Sequence, residues 1–128
     1  MRLRRLAWLA LPLLLFGGGC AKKKKVPFTC ERFQKRTERC QRYLFLAIDL
    51  KVASRVSTGD IEPDEQKDEQ RRYKTRLARS IRANGAKKLC ERAQKQASRQ
   101  DRKRFTNMKF CYSRGDCEAF ARCSLGIW

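Results

Sequence analysis

Histidine does not occur in these 128 residues, and acidic side chains are scarce: 13 Asp and Glu stand against 32 Lys and Arg. Without histidine, the chain lacks the commonest metal ligand and the usual activator of a nucleophilic cysteine. No two cysteines have the close spacing that structural zinc sites favour. The carboxylates are concentrated in Asp60–Glu69, where Pro63, Asp64, Glu65, Asp68 and Glu69 suit the positive end of a helix. Acid–base catalysis is therefore left without candidate residues. Period-two alternation is absent, which excludes half-buried strands, and there is no internal repeat. Long apolar runs are missing too. The longest, Leu6–Phe16, has 11 residues, whereas a spanning helix needs about 20. These absences point away from an enzyme, and no cofactor or metal is expected.

What is present begins at the amino end. Arg2, Arg4 and Arg5 precede the apolar run, and the small residues Gly17-Gly18-Gly19 follow it, directly ahead of Cys20. This order is that of an export signal. Ending in a cysteine, it resembles the signal of bacterial lipoproteins, with Gly17 where such signals usually carry an aliphatic residue. The resemblance covers residues 1–20 only. It implies removal of residues 1–19, lipidation of Cys20 and attachment to a membrane of the cell envelope, facing the periplasm or the exterior. Ala21, rather than Asp, after the cysteine leans toward the outer membrane. An ordinary secretory signal cut near the same point is the alternative. Residues 20–29 then form a tether in which Lys22, Lys23, Lys24 and Lys25 lie beside the lipid site. Cations there reinforce a single acyl anchor on anionic headgroups.

Six further cysteines, Cys30, Cys40, Cys90, Cys111, Cys117 and Cys123, form an even set in a chain bound for an oxidising compartment. Three disulfides are expected. Cys30 and Cys40 on one helix lie about 15 Å apart and cannot bridge each other. Each must reach another segment, and an antiparallel arrangement suggests Cys30–Cys123, Cys40–Cys111 and Cys90–Cys117. The Cys30-x9-Cys40 spacing looks like half of a twin helical hairpin motif whose second half is absent.

The domain 30–128 is expected to be all-α, a small disulfide-stapled bundle of three to four helices. The first runs from Cys30 toward Val56, with Thr29 as N-cap and Phe28 and Phe33 as a hydrophobic staple. Phe33, Thr37, Cys40, Leu44, Ala47 and Ile48 share one stripe, and the all-round apolar stretch Tyr43–Ile48 should be its most buried part. The second helix begins at Pro63, pairs Asp68 with Arg72, buries Tyr73, Leu77 and Ile81, and ends at Asn84-Gly85. Ala86 to about Gln100 forms a third helix, with Leu89, Cys90, Ala93 and Ala97 inward, and helical character resumes toward Cys111. Asp116 caps a short last helix, Cys117–Cys123, with Phe120 inward. In Arg102–Tyr112, cations alternate with Phe105, Phe110 and Tyr112, and these aromatics are expected in the core around Cys111.

Without residues 1–19 the chain carries 29 Lys and Arg against 13 Asp and Glu, a net charge of +16. An anionic partner follows: phospholipid, lipopolysaccharide or an acidic glycan. Nucleic acid is disfavoured by the export signal. The candidate anion-binding residues are Lys22–Lys25 on the tether and Arg32, Lys35, Arg36, Arg39 and Arg42 on the polar face of the first helix. The alternative is a structural subunit or adaptor of an envelope protein complex, its charge only a solvated surface.

Overall fold

The structure is a computed structural model that describes residues 26–96 and 98–128. Helices follow one another in the order α1 (Cys30–Arg39), α2 (Gln41–Ser57), α3 (Gln66–Arg82), α4 (Gly85–Lys95), α5 (Arg99–Tyr112) and α6 (Cys117–Ser124). A single 3-10 turn, Leu125–Ile127, closes the chain's described course, and no strand occurs among the described residues. The all-α, disulfide-stapled class expected from sequence is present. The helix count rises to six because two expected helices are each interrupted.

The first interruption is at Cys40, a turn residue (φ −94°, ψ 9°) that ends α1 and opens α2. The second is at Gln96, whose extended backbone (φ −83°, ψ 136°) stops α4; Ser98 then caps α5 by accepting a hydrogen bond from the Asp101 N–H. Ala97, expected to point inward, lies outside the described residues. At the start of α1, Thr29 Oγ1 accepts from the Arg32 N–H at 3.1 Å, and the rings of Phe28 and Phe33 lie 6.0 Å apart, so cap and staple both form. Asp116 caps α6 in the same way, at 2.7 Å from the Ala119 N–H. Pro63 stays in the turn ahead of α3, and Arg72 pairs with Glu69 at 3.1 Å instead of with Asp68.

The corner between α3 and α4 is tighter than an ordinary helix end. Asn84 takes the left-handed conformation (φ 55°), which asparagine tolerates better than most residues, and Gly85 starts the next helix at once. A Cβ on Gly85 would come within 2.6 Å of the Ser80 carbonyl oxygen, so glycine is required here for close approach. Gln34 of α1 is buried against this corner. Its amide donates to the Ile81 carbonyl at 2.9 Å and to Glu38 Oε1 at 2.8 Å, and accepts from the Lys87 N–H at 3.1 Å. One side chain thus joins the Ile81 carbonyl at the end of α3, which also accepts from the Asn84 N–H at 3.1 Å, to the Lys87 N–H at the start of α4, a donor left over by helix geometry.

Three disulfides form, all from the six expected cysteines, but the pairing is different. Cys30 bridges Cys90, Cys40 bridges Cys117, and Cys111 bridges Cys123. The expected Cys30–Cys123, Cys40–Cys111 and Cys90–Cys117 are corrected. The reason is the Asn84-Gly85 corner together with the break at Gln96. The corner lays α4 along α1 and brings Cys90 to Cys30, while the break lets α5 turn away and form with α6 a hairpin closed by Cys111–Cys123. Cys117, at the start of α6, is left for Cys40 at the α1–α2 turn.

Two buried clusters result. One gathers Phe33, Cys40, Ala86, Cys90, Ala93, Met108, Cys111 and Phe120. The other gathers Leu44, Ile48, Val52, Ile61, Leu77, Ile81 and Ala121. Among the described residues, both clusters and all three bridges draw on residues within 28–127. The expectation for Tyr43–Ile48 holds on one side of α2 only. Leu44 and Ile48 are buried, whereas Tyr43, Leu46 and Leu50, on the other side, are 42%, 51% and 68% exposed. Phe105 and Tyr112 pack edge-on against Phe28, but Phe110 is exposed beneath the Arg114 guanidinium.

Candidate functional site

Cys20 and Lys22, Lys23, Lys24 and Lys25 lie outside the described residues. The five cations expected to form a patch on α1 and α2 are divided by the fold. The Arg32 guanidinium donates to the Pro27 carbonyl at 2.8 Å and holds the entry to α1. Lys35 pairs with Glu31 at 3.4 Å. Arg36 is half-buried over the rings of Tyr112 and Phe120, at 5.6 and 5.4 Å, and donates to the Arg114 carbonyl. Arg39 and Arg42 are exposed, and among the described residues neither enters a salt bridge.

A second basic site is built by tertiary contact. A cleft of about 660 Å³ opens beside the aliphatic cluster. Its apolar surface comes from Ile48 and Val52 of α2, Leu77 of α3, Leu89 of α4, and Leu125 and Trp128 beyond α6. Six cations line it as well: Lys51 and Arg55, Arg76, Lys88 and Arg92, and Arg104. No Asp or Glu side chain does so among the described residues. On α2 and on α4 the two cations stand one helical turn apart, so each helix presents a pair on the same side. Tyr73 steadies two of the six. Its hydroxyl accepts from Arg55 Nη1 at 3.4 Å, and its ring lies 5.9 Å from the Arg76 guanidinium carbon.

The physical consequence is a concentrated positive potential. Like charges gathered around a low-dielectric apolar floor focus the field into the cleft and raise the local concentration of anions. Arginine supplies four of the six cations, and its planar fork matches phosphate and carboxylate oxygens in pairs. Among the described residues no group of histidine, cysteine, aspartate or glutamate could hold a metal ion, and no helix is long and apolar enough to cross a membrane.

Sequence reasoning missed this site. Spacing points Leu89 into the core and assigns none of these six cations to a site. The spacing of Lys51 with Arg55 and of Lys88 with Arg92, each beside an apolar position, is visible in the sequence. Their convergence depends on α2 and α4 both meeting α3, which spacing alone does not reveal. In comparisons with protein-family models, with curated proteins and with solved structures, nothing matches the chain.

Proposed function

We propose that the protein is an envelope-anchored lipoprotein whose small basic helical domain binds an anionic component of the envelope. The observation that carries this reading is the cleft, where, among the described residues, six cations and no carboxylate side chain surround an apolar floor. A surface that is basic only for solubility has no reason to gather six cations, none of them in a salt bridge among the described residues, around a partly exposed apolar lining where they repel one another. The lipoprotein-like signal supplies the address: anchored through Cys20, the domain is held within nine residues of a membrane surface.

The test is binding of the oxidised domain, residues 21–128, to vesicles of phosphatidylglycerol, to lipopolysaccharide and to vesicles of phosphatidylcholine. The two anionic surfaces should bind, weakening steeply with salt, and the neutral one should not. Reversing Lys51, Lys88 and Arg92 to glutamate should weaken binding by about tenfold or more, because each exposed pairing contributes up to about 1 kcal/mol. Reversing Lys35, Arg39 and Arg42 should do less. Equal binding to neutral vesicles, or indifference to the three cleft reversals, would overturn the reading.

A second reading is favoured by the exposed face of α2. Tyr43, Leu46 and Leu50 form an apolar stripe opposite the buried one, which suits a structural subunit that docks against an envelope protein. Envelope retention that survives high salt and is lost in Leu46→Glu and Leu50→Glu would favour it.

A further inference from the structure

We infer that the ligand of the cleft is a single-chain lipid with a phosphate head, held one to one, its chain on the apolar floor and its phosphate among the cations. This rests on the anion-binding reading and adds the chemistry of the ligand. A protein that reads only headgroups needs cations, and the exposed Arg39 and Arg42 would serve. The cleft adds an apolar lining in which Leu89, Leu125 and Trp128 are only partly covered, above the buried Ile48, Val52 and Leu77. Its volume of about 660 Å³ falls within the roughly 300–1,000 Å³ of small-molecule sites. Charge complementarity fixes the other end. A phosphate monoester carries close to two negative charges at neutral pH, and four arginines and two lysines around the cleft can divide them.

Trp128 is the only tryptophan in residues 21–128 and lines the cleft, so its emission reports occupancy directly. The experiment titrates the oxidised domain with dodecyl phosphate below its micelle concentration, following Trp128 emission and binding heat. Decyl phosphate, dodecyl maltoside and inorganic phosphate serve as comparisons. Dodecyl phosphate should saturate at one per domain and shift Trp128 emission to the blue. Shortening the chain by two methylenes should weaken binding about tenfold, and removing it altogether by more than about a hundredfold, since each buried methylene contributes about 0.8 kcal/mol. Dodecyl maltoside, with the same chain and no charge, should bind at least about tenfold more weakly, the share expected of several exposed charge pairings. Lys88→Glu with Arg92→Glu should weaken dodecyl phosphate without lowering the melting temperature, as both side chains are exposed.

Equal affinity for inorganic and dodecyl phosphate would overturn the inference while leaving an anion-binding domain. Equal affinity for the phosphate and the maltoside would also overturn it, reducing the cleft to an apolar groove. Failure of every anion, vesicles included, would remove the functional reading as well. The chain-length series uses the unaltered domain, so its outcome does not depend on whether a variant folds.

Discussion

Phe33, Met108 and Phe120 are packed among the bridged cysteines, whereas none of the six enters the cluster of Leu44, Ile48, Val52, Leu77 and Ile81. The first region is closed: Cys30–Cys90 ties α1 to α4, Cys40–Cys117 ties the α1–α2 turn to α6, and Cys111–Cys123 ties α5 to α6. The second has no covalent tie of its own and opens on the cleft. A domain of this size buries too little to be stable by burial alone with much to spare. Placing the cross-links in one half supplies stability there by restricting the unfolded chain. The other half can then keep partly exposed apolar surface at Leu89, Leu125 and Trp128 and a gathering of cations that repel one another.

The largest effects should come from breaking that asymmetry. The two long-range bridges close loops of 60 and 77 residues, and the third closes 12. Chain entropy then assigns about 4 kcal/mol to each long bridge and about 3 kcal/mol to the short one. Replacing Cys30 with Cys90, or Cys40 with Cys117, by paired alanines should lower the unfolding free energy in denaturant more than replacing Cys111 with Cys123. A larger loss from the Cys111–Cys123 pair would mean that the α5–α6 hairpin, and not the α1–α4 contact, holds the first region together.

Gln34 is where the two regions meet, since its amide joins α1 to the corner that follows Ile81. Gln34→Ala leaves the Lys87 N–H without its partner, while the Ile81 carbonyl keeps the Asn84 N–H, and a group so stranded costs about 1–3 kcal/mol. A loss of about 1–3 kcal/mol is expected, with faster amide exchange around residues 81–88. Gln34→Glu should not rescue it, because a carboxylate cannot donate to the Ile81 carbonyl and faces Glu38. Full rescue by glutamate would show that only the contact to Lys87 matters.

Local features of this architecture were legible before the fold was known. Thr29 and Asp116 cap helices because short polar side chains reach nearby N–H groups, and that reach is set by a few residues of sequence. Leu77 and Ile81 are buried as their spacing suggests. The disulfide pairing was not legible, because it turns on how the Asn84-Gly85 corner lays α4 along α1 and on a break near Gln96 that separates α5 from α4. The exposure of Leu46 and Leu50 was not legible either. A helix apolar on every side does not say which side will be covered, and the partners that cover Leu44 and Ile48, from α3 and α6, are distant in sequence. The cleft failed for the same reason, since its six cations come from four helices. Gln34 gave no signal at all, being one more polar residue on a polar helix.

The smallest effect probes the seam between the two regions. α6 contributes Phe120 to one cluster and Ala121 to the other, and Ser124 follows one turn later. Ser124 is fully buried, and its hydroxyl has no hydrogen-bond partner among the described residues. A buried hydroxyl that has given up water without gaining a partner opposes folding. Alanine keeps the helix and removes that group. Ser124→Ala should therefore stabilise the domain by about 1 kcal/mol, a rise of about 4–8 °C in melting temperature for a chain of this length. Binding in the cleft should not change, because Ser124 does not line it. If Ser124→Ala instead lowers the melting temperature, the hydroxyl is satisfied by a buried water. The seam would then be a polar joint like the one at Gln34, and the closed and open regions would be coupled at both ends of their boundary.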